Sequence, residues 1–351
     1  MAVDYRIREN VIMIKKSVTM SDIAKVMNVS TVTVSKALGD RDGVSDELRE
    51  RIKQKATEMG YRMHSGGRGA HDGLSYNIGI VVARHFIGDA SSFYWVVYRH
   101  IIELLQTQNF YGMLEVINDA DSGMGEIPNS VLDKKVDGLI VLGQFADSYV
   151  ERLMSFGLPT VFLDFYGSRE DVESVLSDNF YGAYMLTSHL VANGHRKIGF
   201  LGSISSTSSI QDRYLGYYKA LLENRIPLRQ DWIISDRSNE SDIFPEFTLP
   251  ADMPTAFVCN CDETAYKLVN QLKAAGYSIP DDVSVVGYDN HIYSTISMPR
   301  ITTIDVNSRV MSSEAVDIIL HKIRDGSYKR GRTLVTGKLV RRESVKNLNE
   351  I

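Results

Sequence analysis

The chain has 351 residues, 44% of them hydrophobic, with 39 Lys+Arg against 44 Asp+Glu and a formal net charge of −5. That length exceeds one ordinary domain and supplies a sizeable core, which excludes a disordered chain and a single small module. No apolar run reaches transmembrane length, and the short stretch Val11–Ile14 behind a charged leader is no secretory signal, so a cytoplasmic protein without membrane contact is expected.

The charge is uneven. Residues 1–70 carry 13 Lys+Arg against 9 Asp+Glu, a net of +4, whereas the remainder carries 26 against 35, a net of −9. A small basic end on an acidic chain is the balance that phosphate contact requires.

In chain order, residues 1–18 give no clear signal. The stretch 19–38, TMSDIAKVMNVSTVTVSKAL, reads as a helix-turn-helix. Thr19 can cap a first helix with Asp22 in its first turn and Ile23, Ala24 and Met27 as its apolar face. Asn28, tolerant of the left-handed conformation, ends that helix, and Ser30 can cap the next. Helical spacing puts Val34, Ala37 and Leu38 on one side and Thr31, Val32, Ser35 and Lys36 on the other, free to face a partner. A helical hairpin that merely packs is the plainer alternative. A third helix is expected behind Ser45, with the stripe Leu48, Ile52, Ala56 and Met59, so that 18–63 forms an all-α headpiece. Residues 64–76, rich in glycine and without apolar periodicity, read as a linker.

Beyond the linker, buried-strand runs at 78–83, 136–142, 160–163, 198–201, 256–259 and 283–287 alternate with helical patterns at 98–108, 181–193, 214–223 and 263–275. Alternation of this kind predicts α/β layers with parallel, doubly wound sheets. There are too many strands for one sheet, so 77–344 is expected to form two lobes with a cleft between them. The boundaries fall at about 77–174 with 306–335 for the first lobe, and 175–303 with 336–344 for the second. Ligands of such sheets bind beyond the carboxyl ends of the strands. Arg213, after the Ser-rich loop 203–209, and Asp289, after the strand at 283–287, are fitting cleft residues. A guanidinium fork and a carboxylate can clasp adjacent sugar hydroxyls. A structural ion pair between the lobes is the alternative role for both.

No Walker loop, GxGxxG, GxSxG or HExxH occurs, so no enzyme, cofactor or metal is expected. His189 and His195, six apart, do not share a helical face as metal ligands would and read as surface or capping residues.

The order of the helix-turn-helix, the Gly-rich linker, IGIVVA, VDGLIVL, PTVFLD, HLVANGHRKIGFL, DRYLGY, DDVSVVGYDN and PRITTID resembles that of the LacI-type (LacI/GalR) transcriptional regulators over 18–344. The resemblance implies a periplasmic-binding-protein-like core and a cytoplasmic, nucleoid-associated repressor. It also implies a homodimer on a pseudo-palindromic double-stranded operator, controlled by a small molecule between the lobes, usually a sugar or nucleoside and here expected to be sugar-like. The absence of a leucine-heptad tail after Ser344 favours a dimer over a tetramer. A sugar-binding protein of an uptake system and a regulator answering to a protein partner are the alternatives.

The resemblance assigns base reading to Thr31, Val32 and Lys36, with Thr19, Thr33 and Ser35 within reach of phosphates. It adds Phe93 and Tyr94 as an aromatic pair over a sugar face and Asp262 as an effector-side acid. Cys261 stands where many relatives carry Asn. Ala70 stands where the family's hinge helix carries its minor-groove leucine, within HSGGRGAH, so a weak hinge helix is expected, with Arg68 as a minor-groove contact.

Overall fold

The computed structural model describes residues 18–59, 61, 74–87, 93–118, 123–237, 243 and 246–349. Two compact units divide between Ser75 and Tyr76. The expected hinge with Arg68 and Ala70 lies outside the described residues.

In the first unit, α1 (Met20–Met27) opens with a reciprocal cap. The Asp22 backbone amide donates to Thr19 Oγ1 at 3.3 Å, while the Thr19 amide donates to Asp22 Oδ2 at 2.9 Å. Asn28 closes the helix at φ 52°, in the left-handed region that lets the chain turn at once into α2 (Thr31–Leu38). The Thr33 amide donates to Ser30 Oγ at 3.0 Å, so Ser30 caps α2. α3 (Asp46–Glu58) starts after Ser45, whose side chain makes no capping bond; Asp46 and Glu47 complement the helix dipole instead. Ile23, Ala24, Val34, Ala37, Leu38, Ile52 and Ala56 form the buried core, with Leu48 and Met59 packed against it. Arg49 adds a brace, its Nη2 donating to the Arg41 carbonyl at 3.0 Å and holding the loop between α2 and α3.

The second unit is built on two parallel sheets. The first lobe uses β1 (Asn77–Ala83), β2 (Tyr111–Ile117), β3 (Gly138–Leu142), β4 (Thr160–Leu163), β5 (Glu173–Ser177) and β11 (Arg332–Val335), in the order β11-β5-β4-β3-β1-β2. The second uses β6 (Ile198–Leu201), β7 (Ile233–Ile234), β8 (Ala256–Cys259) and β9 (Ser284–Val286), in the order β7-β6-β8-β9. A short antiparallel pair, β10 (Thr303–Asp305) with β12 (Lys338–Val340), was not foreseen. Because β5 belongs to the first sheet, that lobe runs to Ser177 and not 174.

The central strands are buried on both faces, and their alternation shows in the core. Ile78, Ile80 and Val82 of β1 face one hydrophobic cluster while Val81 and Ala83 face another. The first cluster receives α4 (Phe93–Thr107) and α11 (Ser308–Arg324); the second receives α6 (Asp147–Met154) through Tyr149, Val150 and Leu153. In the second lobe, α7 (Asn179–Ala192) and α8 (Ser208–Glu223) lie on one face, and α9 (Asp262–Ala274) lies on the other. Several helices begin earlier than their apolar periodicity suggested. α8 starts inside the Ser-rich stretch because Thr207 Oγ1 accepts from the Ile210 amide at 3.2 Å.

His195 departs from the expected surface role. It is buried, its Nδ1 lying 3.0 Å from Thr255 Oγ1 and its Nε2 3.2 Å from the Lys346 carbonyl oxygen, so it pins the C-terminal segment to the second lobe. Burial holds its pKa below the ordinary histidine value.

Candidate functional site

Two sites emerge, one in each unit. On the headpiece, Thr31, Val32 and Lys36 are exposed on one face of α2, opposite the buried Val34, Ala37 and Leu38. Val32 is 65% exposed, which an isolated packing helix would not explain. The Thr33 hydroxyl lies 2.8 Å from Ser30 Oγ, and Thr19 Oγ1 donates to Asp22 Oδ2 at 2.7 Å. Thr19 and Thr33 therefore order the starts of α1 and α2, the ends where backbone N–H groups favour a phosphate. Ser35 is half-buried on the same helix.

In the core, the first turns of α8 meet loops at the carboxyl ends of the first lobe's strands. Gln144 Oε1, beyond β3, accepts from the Ser208 amide at 3.2 Å and from Ser208 Oγ at 3.1 Å. Ser209 Oγ donates to the Asp164 carbonyl at 3.1 Å, and Tyr166 OH donates to Asp212 Oδ1 at 3.1 Å. These bonds bring Arg213, on the second turn of α8, to the junction of the lobes.

Arg213 is 8% exposed and held on four sides. Its Nε donates to Asn179 Oδ1 at 2.8 Å and its Nη1 to the Asn260 carbonyl at 2.5 Å, while Nη2 lies 3.5 Å from Asp289 Oδ1. Its guanidinium carbon sits 3.9 Å above the Tyr288 ring. From the other lobe, Asp164 follows β4 and accepts a 2.8 Å hydrogen bond from Tyr94 OH. Both acids adopt left-handed backbone, φ 67° at Asp164 and φ 104° at Asp289, a conformation uncommon for non-glycine residues and concentrated at functional sites. Gly143, also left-handed at φ 80°, leaves room for this cluster, since a Cβ there would lie 2.7 Å from the Phe86 ring and 3.2 Å from the Tyr94 ring.

Burial disfavours charge on both acids. Asp164 is raised above the ordinary aspartate value, and Asp289 is pushed up to about 7, with Arg213 opposing and the Asp164 charge adding to the effect. Burial and then the neighbouring Asp164 charge raise Tyr94 well above 10. The native state thus keeps the Asp289 proton over a range where the unfolded chain has lost it. The stabilisation is complete below the unfolded value and is lost as pH rises through about 7. Asp289→Asn should therefore gain stability relative to wild type between pH 5 and pH 8, by on the order of 2 kcal/mol. Parallel stability–pH curves in chemical denaturation would contradict this.

The structure distributes the sequence-derived residues unequally. Arg213, Asp289 and Tyr94 come together. Phe93 sits edge-on to Tyr94 at 5.6 Å between ring centres and packs on the large core. Asp262 is fully buried, with Oδ2 accepting from the His291 amide and Oδ1 from Thr303 Oγ1, each at 2.7 Å. Both oxygens tie α9 to the segments after β9 and at β10, a positioning task. Asp164, Asn179, Asn260, Tyr288 and Arg237 were missed. Arg237 is forked onto Asp236, with Nη2 to Oδ2 at 2.8 Å, and its charge acts on Asp289 and Cys261. The available signal was their placement just past β4, β5, β7, β8 and β9.

Comparison with known proteins agrees with both units. Residues 19–63 match the lacI family of bacterial regulatory proteins, and residues 187–345 match the periplasmic binding protein-like domain. The chain is 28% identical over 337 residues to the HTH-type transcriptional repressor PurR of Mannheimia succiniciproducens, covering 94% of this chain and 99% of that protein. PurR of Photobacterium profundum matches at the same identity and coverage. Among solved structures, the lac repressor dimer bound to operator and the anti-inducer ONPF superposes with a TM-score of 0.73 at 22% identity, covering 94% of this chain and 100% of that one. A LacI family transcriptional regulator from Enterococcus faecium with bound ribose superposes with a TM-score of 0.64 at 25% identity, covering 78% and 99%. A CelR–cellobiose complex gives 0.65 at 22% identity, covering 93% and 99%. The chain thus joins a helix-turn-helix of the lacI family of bacterial regulatory proteins, at residues 19–63, to a periplasmic binding protein-like domain, at residues 187–345.

Proposed function

We propose that the protein is a sequence-specific repressor that acts as a homodimer on a pseudo-palindromic operator and is controlled by a small sugar-like effector bound between the core lobes. The observation that carries this is the cleft cluster. One guanidinium, Arg213, lies among Asp289 of its own lobe and Asp164 and Tyr94 of the other, so a polyhydroxyl ligand placed there bonds to both lobes at once. The neighbours solved with ribose and with cellobiose support a sugar, and the relatives named as repressors support the sign. Two-fold symmetry of a dimer requires two related half-sites.

The ligand acts through differential affinity. It favours whichever lobe arrangement lets it bond to both sides, and that arrangement carries a different spacing of the headpieces. Thr31 and Val32 offer methyl groups to thymine, and Lys36 offers donors to guanine N7 and O6. Lys36→Ala is expected to weaken specific operator binding by about 1–3 kcal/mol, with a much smaller change on non-specific DNA. Fluorescence anisotropy with operator and scrambled duplexes measures both. An equal loss on both duplexes would reduce Lys36 to a phosphate contact.

A further inference from the structure

Among the described residues, the cleft has more hydrogen-bond acceptors than donors to meet them. There Asp289 receives no side-chain hydrogen bond, and its ion pair with Arg213 is a long 3.5 Å. Asp164 has one oxygen bonded to Tyr94, and no described residue donates to the other. Asn260, 1% exposed, has an Oδ1 with no partner, although its Nδ2 donates to Asp236 and its carbonyl accepts from Arg213. Against these stands one orphaned buried donor, Asn179 Nδ2, on a side chain that is 2% exposed.

The charges tilt the same way. Arg237 and Asp236 neutralise each other, and Asp236 is further held by the Ser203 amide at 2.8 Å and Thr264 Oγ1 at 3.0 Å. Among the described residues Arg213 is the cation that acts on both Asp164 and Asp289, which reach it from opposite lobes, while Arg237 acts on Asp289 alone. The elevated proton affinity of both acids reflects burial, to which the Asp164 charge adds at Asp289. An acidic ligand would add a third anion to two that already lack donors. An ammonium group carries three donors and no acceptor and supplies the missing positive charge.

We infer that the effector is a polyol bearing an amine, an amino sugar in chemical class, whose ammonium group is taken between Asp164 and Asp289 while its hydroxyls meet Arg213, Asn179 and Asn260. This rests on the effector-cleft function proposed above. It differs from a generic sugar site in predicting an order of preference: amine above neutral, neutral above acid. Cys261 fits the assignment, because a thiol, raised to about 11 and so neutral, brings no anion-binding amide to the same wall.

The test uses the full chain and matched triplets of free hexose, 2-amino-2-deoxyhexose and hexuronic acid in the gluco, galacto and manno series. Calorimetry and thermal shift at pH 7.5 give the affinities. The expected result is at least about tenfold tighter binding of one amino sugar over its neutral counterpart, with no binding of the acid. Asp164→Asn should lower amino-sugar affinity by a larger factor than neutral-sugar affinity, so that the ratio between them collapses, whereas a merely structural role for Asp164 would lower both alike. Equal or tighter binding of the neutral or acidic member overturns the amine assignment and leaves the sugar-controlled regulator standing. Failure of every member of every triplet to bind overturns both.

Discussion

Replacing Arg213 with alanine is expected to abolish the effector's influence on operator binding while leaving operator affinity without effector nearly unchanged. The side chain is enclosed by Asn179, Asn260, Tyr288 and Asp289 within the core unit. Truncation removes the guanidinium shared by the two lobes' acids, so a ligand loses its anchor on one side of the cleft. Deleting one partner of a buried pair ordinarily costs about 3–5 kcal/mol, because the other charge is stranded. Here Asp289 already titrates at about 7 and can take up a proton, which limits the damage and lets the core fold. Arg213→Lys should fail as well, since an ammonium cannot bond Asn179, Asn260 and Asp289 together in the planar fork. Anisotropy titrations with and without effector read the response, and thermal unfolding confirms that the core is intact. Loss of operator binding with the effector response preserved would place the control site elsewhere.

Replacing Ile52 with alanine should remove operator binding while leaving effector binding to the core as it was. Ile52 is fully buried on α3, and among the described residues the buried headpiece core adds Ile23, Ala24, Val34, Ala37, Leu38 and Ala56 to it, with smaller contributions from partly buried neighbours. An Ile→Ala change in a core costs about 2–5 kcal/mol. A unit of this size buries too little surface to absorb such a loss. The outward side chains Thr31, Val32 and Lys36 would then no longer share a rigid face. Circular dichroism should show a loss of helix confined to a low-temperature transition, with the core's own transition and ligand affinity retained. Operator affinity equal to wild type would mean that the headpiece is held by contacts beyond its own core.

The headpiece was the most legible part of the chain because its signals are local. Thr19 with Asp22, Asn28 and Ser30 each act within three or four residues, and the structure uses all four as caps or turn. Ser45 was the exception: its position was right but its hydroxyl is unused there. In the core, most central strands announced themselves as apolar runs, whereas β2 and β5 did not. β2 lies at the sheet edge with Tyr111 exposed, and β5 buries Glu173 against Lys322 of α11, so neither shows a continuous apolar pattern. Antiparallel β10–β12 joins segments more than thirty residues apart, and no local pattern encodes that pairing.

The cleft was half legible. Arg213 and Asp289 could be placed by their relation to a loop and a strand end. Asp262 obeys the same rule, yet Thr303, contributed from far along the chain, captures one of its oxygens and the His291 amide the other. Arg237, Asn179 and Asn260 gain their significance only from one another's proximity. The residue that most alters the chemistry is Asp164, an ordinary strand-end acid in sequence that becomes, across the lobe junction, the second carboxylate facing Arg213.

The central claim is that a ligand in this cleft controls the headpiece's grip on DNA. The most direct test is an operator titration of the full-length protein with and without the sugar that binds the core most tightly, at saturating concentration. The account predicts a change of about 1–3 kcal/mol in operator affinity, roughly 5- to 150-fold, that disappears in Arg213→Ala. Identical operator affinity with the cleft demonstrably occupied would contradict it.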